Sequence, residues 1–167
     1  RLEFMDNFEF FTLEISSARL EEIVMPNYGC QPPLGYQVPD PPDGRHSCFS
    51  NVHNKGDILL HDNPDLKRFS FATNPDLDGF DVWGAFRVEN NPQLKVLDLA
   101  KVKKIRTLRV KKNKALEVIR APTLVALADY WGGRVSIVQN SRLQELSMPQ
   151  LQQIGHSNRP ASFHIDL

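Results

Sequence analysis

The stretches HDNPDLKRFSF (His61–Phe71) and ENNPQLKVLDL (Glu89–Leu99) follow almost the same pattern. Each contains Asn-Pro, one further residue, a Leu, and then apolar and polar side chains in alternation. A pattern that recurs within one small protein predicts a repeated structural unit, so the spacing of further copies decides the fold.

Four Asn residues mark the repeat at positions 63, 91, 113 and 140, which lie 28, 22 and 27 residues apart. A Leu stands three residues after each Asn. Apolar residues also stand three and five residues before it, and six, eight and fourteen residues after it. Phe11–Tyr28 resembles the fourth unit and forms a fifth, with Ser17 in the place of Asn. Because seven positions stay in register, we interpret the chain as a stack of about five units.

Apolar-x-apolar stretches stand before and after each Asn, and this period of two predicts short β-strands joined by a corner. Asn suits a corner because its side chain bonds nearby backbone and because it tolerates unusual backbone angles. Stacked units would share one core and bring the Asn residues into a ladder inside the turn. The alternative is that they are exposed turn formers. These predicted turn residues are Asn63, Asn91, Asn113 and Asn140.

The full pattern, apolar-x-apolar-x-x-N-P-x-L-x-x-L-x-L-P-x-L-x-x-I, resembles the receptor L domain, a leucine-rich module of the insulin and epidermal growth factor receptor ectodomains and of related secreted proteins. The resemblance covers Phe10–Tyr28 and Asp57–Ile154. It implies a single domain over residues 1–167, an all-β, right-handed parallel β-solenoid that is leucine-rich-repeat-like, with about five coils and irregular loops. It also implies a secreted or extracellular protein that recognises a protein or peptide ligand. The chain lacks the cysteine pairs typical of the ends of such domains.

Residues 27–55 fit no unit and are rich in proline and glycine, so we expect a loop that leaves the repeat. Both cysteines of the chain, Cys30 and Cys48, lie in it. A disulfide between them would stabilise the fold by about 3 kcal/mol in the chain-entropy model and would require an oxidising compartment. The alternative is two free thiols in a cytosolic loop. The loop itself is either functional or a tolerated insertion.

The C-terminal segment, residues 155–167, follows the last unit. Phe163, Ile165 and Leu167 alternate with polar residues, which is typical of a strand. A stack of repeats needs a terminal segment that covers its core, so we expect this segment to cap the last unit.

Two aromatic insertions interrupt the repeat at the same place, just before a strand. One contains Trp83, and the other contains Tyr130 and Trp131; in both the Trp is followed by Gly. Exposed Trp side chains are typical of binding hot spots, so these three residues are candidate partner-binding residues. The alternative is that the rings cover the end of the core.

Arg87 and Arg109 occupy equivalent outward positions in neighbouring units, and Lys111 follows on the same strand as Arg109. We predict that these three cations bind a partner on the outer face of the sheet that is formed by the strands before each Asn, because Arg is enriched at binding hot spots. The wider run Lys101–Lys114 holds eight basic residues and no acid. It would suit an anionic, heparin-like glycan. The alternative is that these basic residues are distributed around one whole unit and are simply solvated.

Motifs for catalysis are missing from the sequence. There is no phosphate-binding loop, no G-x-S-x-G turn, no H-E-x-x-H and no C-x-x-C. The densest carboxylate cluster, Asp76, Asp78 and Asp81, lacks the Gly and the closing Glu of a calcium loop. We therefore expect no enzyme activity, no cofactor and no metal. A carbohydrate-active β-solenoid enzyme is the alternative from another class.

Composition limits the partners further. Twenty basic and twenty acidic residues give zero net charge, and no apolar run is long enough to span a membrane. We expect a protein or peptide ligand, with an anionic glycan as a second possibility, and neither nucleic acid nor membrane insertion. No N-x-[ST] glycosylation site is present, which leaves a bacterial or intracellular scaffold open as the origin.

Overall fold

The computed structural model describes residues 2–3, 12–16, 21–25, 53–54, 57–71, 79–128, 133–155 and 162–166. Every regular element in these ranges is a β-strand, and every strand pairing is parallel. The all-β prediction is therefore confirmed. The strands are β1 (Leu2–Glu3), β2 (Thr12–Ser16), β3 (Glu22–Met25), β4 (His53–Asn54), β5 (Asp57–His61), β6 (Arg68–Phe71), β7 (Phe80–Glu89), β8 (Val96–Asp98), β9 (Val102–Lys111), β10 (Val118–Arg120), β11 (Ala126–Leu127), β12 (Arg134–Val138), β13 (Glu145–Ser147), β14 (Gln153–Ile154) and β15 (Ser162–Asp166).

The strands form two sheets, and the chain passes back and forth between them. The small sheet has the order β1-β3-β6-β8-β10-β13. The large sheet contains the other nine strands. Within it, β2, β5, β7, β9, β12 and β15 pair in chain order and form the long ladder. β4, β11 and β14 pair with the first halves of β7 and β9 or with each other.

The positions of the sequence repeat are also the register of the strands. In the long ladder, the apolar residues three before each Asn are neighbours: Leu60, Val88, Val110 and Ile137. In the small sheet, the residues six after each Asn are neighbours: Phe69, Leu97, Ile119 and Leu146. Position fourteen departs from the pattern in the unit of Asn63, because Ile105 pairs with Val82, nineteen residues after that Asn. Two register shifts between β7 and β9 accompany this change in spacing.

The core lies between the two sheets. The Leu three residues after Asn is fully buried in the three middle units, at Leu66, Leu94 and Leu116. Aromatic rings fill the part between β6 and β7, where Phe69 and Phe86 pack edge to face with ring centroids 5.7 Å apart. These side chains come from strands of different sheets, so each unit buries its apolar residues against its neighbours.

All four repeat Asn residues are fully buried, unlike exposed turn formers. The side-chain oxygen of Asn91 accepts hydrogen bonds from the backbone N–H and the amide of Asn63, at 3.1 and 2.9 Å. Asn113 accepts the same pair from Asn91 at 3.0 and 3.2 Å, and Asn140 accepts it from Asn113 at 3.0 and 3.3 Å. The amides also donate to strand carbonyls, for example from Asn113 to Val88 at 2.9 Å. The four units that contain Asn are thus linked in series by one polar column inside the corner.

The unusual backbone angle of the corner falls on the residue before each Asn, and the expectation that Asn itself adopts it is wrong. These residues have positive φ angles: Asp62 at 55°, Asn90 at 53°, Lys112 at 59° and Gln139 at 58°. The Asn that follows is used for its hydrogen bonds, since its side chain is both donor and acceptor.

The C-terminal segment adds a strand to the sheet and leaves the last unit partly open. β15 pairs with β12 along its full length. Leu146, Ile154 and Phe163 are 39%, 49% and 47% exposed, although the first two occupy core positions of the repeat. An open cavity of about 240 Å³ at this end is lined by Leu127, Val135, Ile137, Leu146, Met148, Leu151, Phe163 and Ile165. The described part of the expected cap therefore extends the long ladder beside the last core position.

Candidate partner-binding face

The outer surface of the long ladder carries rows of side chains that come from successive strands. Its middle row consists of Leu59, Arg87, Arg109 and Ser136, which are direct neighbours in the parallel register. We call the outer surface of β5, β7, β9 and β12 the arginine face. Two residues further along the strands, Lys111 belongs to the next row, beside Glu89 and Val138.

The two arginines of the middle row have different electrostatic surroundings. Arg109 Nε lies 2.9 Å from Glu89 Oε1, an ion pair that crosses diagonally from β9 to β7. Arg87 is exposed, and within the described residues it has no ion-pair partner. Two neighbouring arginines repel each other, and a nearby carboxylate relieves the repulsion. For Arg109 that carboxylate is Glu89 of the same chain. In the middle row, Arg87 is thus an exposed guanidinium without an ion pair among the described residues.

Trp83 lies at the edge of this face, on β7, where the strand is irregular. The register shifts between Val82 and Ala85, so that Trp83 and Gly84 oppose the single residue Arg106. The Trp83 side chain is partly buried, and its indole nitrogen is shielded from solvent. This position agrees better with a ring that covers the core than with a freely exposed hot spot. Tyr130 and Trp131, the other predicted aromatic residues, lie outside the described residues.

The basic run of the sequence is concentrated on β9 and is interleaved with acids from β7. Lys104 pairs in register with Asp81, and Lys111 pairs in register with Glu89. The one strand that carries most of the run therefore faces a neighbouring strand that carries carboxylates. This arrangement favours a solvated, internally balanced surface over a uniform anion-binding stripe.

Ion pairs between neighbouring strands also cover the small sheet. The guanidinium of Arg120 makes two hydrogen bonds to Glu145, at 3.1 and 3.3 Å, and they raise the pKa of Arg120. Lys67 Nζ lies 2.8 Å from Glu21 Oε1, and this hydrogen bond lowers the pKa of Glu21. Two pairs of charges beside the small sheet are thus satisfied within the chain, whereas Arg68 on β6 is exposed like Arg87.

A charged cluster around His61, at the end of β5, was not predicted from the sequence. His61 Nε2 lies 2.9 Å from Glu14 Oε1 on β2, and Nδ1 lies 2.8 Å from Asp62 Oδ2. Asp62 also accepts a hydrogen bond from the side chain of Asn90. Glu14 and His61 are 47 residues apart in the chain, so only the register of β2 and β5 brings them together.

Several predicted features lie outside the described residues: Cys30, Cys48, most of the loop 27–55, Asp76 and Asp78. In the ranges that the structure does cover, no group of three or more His, Cys, Asp or Glu side chains is arranged to hold a metal ion. The same ranges include no helix with the length and hydropathy needed to cross a membrane.

Comparisons with protein-family models, with curated proteins and with solved structures each find no match.

Proposed function

We propose that the chain is a right-handed parallel β-solenoid of the receptor L-domain type, with about five coils, and that it is an extracellular, non-catalytic recognition module. Its ligand is a protein or peptide that binds on the arginine face. The alternation of the chain between two parallel sheets supports the solenoid. The buried Asn column supports it too, because such a column needs one corner per coil, stacked in line.

The observation that best supports the binding function is the exposure of Arg87 without an ion pair among the described residues. Arg87 is an exposed arginine in the middle of an extended sheet surface, and Arg109 beside it is already paired with Glu89. Leu59, its neighbour on β5, is partly exposed and adds apolar surface on the other side. A guanidinium next to an apolar side chain fits a partner that presents a carboxylate beside an apolar residue.

The extracellular assignment rests on Cys30 and Cys48. If they form a disulfide, the protein belongs in an oxidising compartment. Mass spectrometry of the unreduced protein after alkylation tests this directly: a bonded pair leaves both cysteines unmodified. Two alkylated cysteines per chain would contradict both the bond and the extracellular assignment.

A binding experiment with two matched arginine variants tests the function. The immobilised protein captures partners from the secreted proteins of its source, and the affinity of each purified partner is then measured. We expect Arg87→Glu to weaken binding at least about tenfold, since charge reversal at a hot spot costs 1.4 kcal/mol or more. Arg68→Glu reverses another exposed arginine, on the small sheet, and should leave the affinity unchanged.

Equal losses in both variants, or none in Arg87→Glu, would rule out the arginine face. A measurable turnover of polysaccharide substrates by the wild-type protein would overturn the non-catalytic assignment and favour the carbohydrate-active alternative.

A further inference from the structure

We propose that protonated His61 holds strand β2 on the edge of the long ladder through its ion pairs with Glu14 and Asp62. We call these three residues the clasp. The strand pairs with β5 over five residues, and the described residues place no strand on its other side. Within the described residues, its attachment consists of this pairing and of the side chains that cross it. The contact between His61 and Glu14 is one of those crossings.

The positions of the two ring nitrogens require a protonated imidazole. Each nitrogen lies within hydrogen-bonding distance of a carboxylate oxygen, Nε2 of Glu14 at 2.9 Å and Nδ1 of Asp62 at 2.8 Å. An ionised carboxylate only accepts hydrogen bonds, so both nitrogens must donate. Neutral imidazole has one N–H, whereas imidazolium has two. Loss of the proton leaves a nitrogen lone pair facing a carboxylate and breaks one arm of the clasp.

The charges around the ring favour its protonated form. Glu14 approaches from β2, Asp62 follows in the corner, and Glu89 is the register neighbour on β7. Arg87 is the nearest cation on the adjoining strand β7, and Arg109 and Lys111 follow one strand further, on β9; Arg109 is paired with Glu89. The hydrogen bonds to Asp62 and then Glu14 raise the pKa of His61 above its ordinary value of 6.5.

The raised pKa of His61 and the lowered pKa of Asp62 determine how the stability of the clasp changes with pH. The pKa of His61 is raised in the folded protein. The stability that protonated His61 contributes is therefore complete below pH 6.5 and is lost as the pH rises through the folded pKa. The hydrogen bonds from Asn90 and His61 lower the pKa of Asp62, so the Asp62 contribution is complete above 3.8 and is lost as the pH falls through the folded pKa. The clasp is thus closed in mild acid and opens towards alkaline pH.

An ion pair of similar length, whose cation does not titrate near neutral pH, lies beside the small sheet. Lys67 Nζ and Glu21 Oε1 are 2.8 Å apart and join the residues just before β6 and β3. Histidine is the side chain whose charge ordinarily changes near neutrality, so the Lys67–Glu21 pair serves as an internal control.

Hydrogen exchange read by mass spectrometry tests the clasp, with rates corrected for the intrinsic effect of pH. Between pH 5.5 and 8.5 we expect the protection of Thr12–Ser16 to fall about twofold to fivefold, the size of a partly exposed ion pair. The protection of Glu22–Met25 should stay constant. In His61→Gln, which does not titrate, the protection of Thr12–Ser16 should no longer depend on pH.

An NMR titration of the imidazole supplies an independent measurement, with the His61 resonance assigned by its absence in His61→Gln. The expected midpoint lies above 6.5 and moves down in Glu14→Gln, which keeps the shape of the side chain. A midpoint at or below 6.5, or equal pH dependence of Thr12–Ser16 and Glu22–Met25, would overturn the proposal. Both readouts are independent of any partner.

Discussion

The side-chain oxygen of Asn113 accepts two hydrogen bonds from Asn91, one from its backbone N–H at 3.0 Å and one from its side-chain amide at 3.2 Å. Both residues are completely buried. A buried donor without an acceptor costs about 1–3 kcal/mol, so the column stabilises the stack mainly by leaving no such group behind. The column also fixes the register, because a shifted unit would leave one Asn without its acceptor.

Replacement of Asn113 by Ala should destabilise the protein by about 2–5 kcal/mol, since it removes the acceptor of the buried backbone N–H of Asn91 and the amide that donates to the carbonyl of Val88. Urea unfolding followed by circular dichroism measures the loss. Lys114→Ala, at the next position and exposed, should stay within about 0.5 kcal/mol. Similar losses in the two variants would mean that the Asn column contributes little.

Leu116→Ala should cost about 2–5 kcal/mol, because the side chain is completely buried in the middle of the core. Leu143 occupies the same repeat position in the last unit but is only partly buried. Leu143→Ala should therefore cost clearly less, and the difference between the two unfolding free energies checks the burial gradient along the stack. A loss below about 0.5 kcal/mol for Leu116→Ala would show that the register is wrong.

The sequence was sufficient for the register of the strands on either side of each Asn, because burial imposes a period of two and the repeat shows which positions are equivalent. It was not sufficient at position fourteen, where Val82 pairs with Ile105, nor for the short strand β4. The residues with positive φ escaped prediction because Lys112 and Gln139 do not belong to the types that usually adopt that conformation. They adopt it at the corner, directly before a buried Asn. The predicted arginine face is only partly visible in the sequence, since the Glu89–Arg109 pair crosses the ladder diagonally.

The positive φ angle of Lys112, 59°, suggests a stabilising change. Glycine populates this region without the steric cost that a side chain pays, so Lys112→Gly should raise the free energy of unfolding by about 0.5–1 kcal/mol. Lys114 has no positive φ, and Lys114→Gly should lower it by a similar amount through the greater freedom of the unfolded chain. Thermal unfolding of both variants gives the comparison, and a destabilised Lys112→Gly would contradict the assigned corner geometry.

The difference between the two arginines of the face can be measured without a partner. A double-mutant cycle with Glu89→Gln and Arg109→Gln should give a coupling free energy of about 0.2–1 kcal/mol, because the pair is partly exposed to solvent. The coupling should shrink at 1 M salt, where the screening length is about 3 Å. The same cycle with Arg87→Gln in place of Arg109→Gln should give a smaller value, since Glu89 forms its ion pair with Arg109. If Arg87 instead couples to Glu89 as strongly as Arg109 does, both guanidinium groups share one carboxylate. Arg87 would then be no more available to a partner than its neighbour, and the choice of Arg87 as the anchor of the arginine face would be wrong.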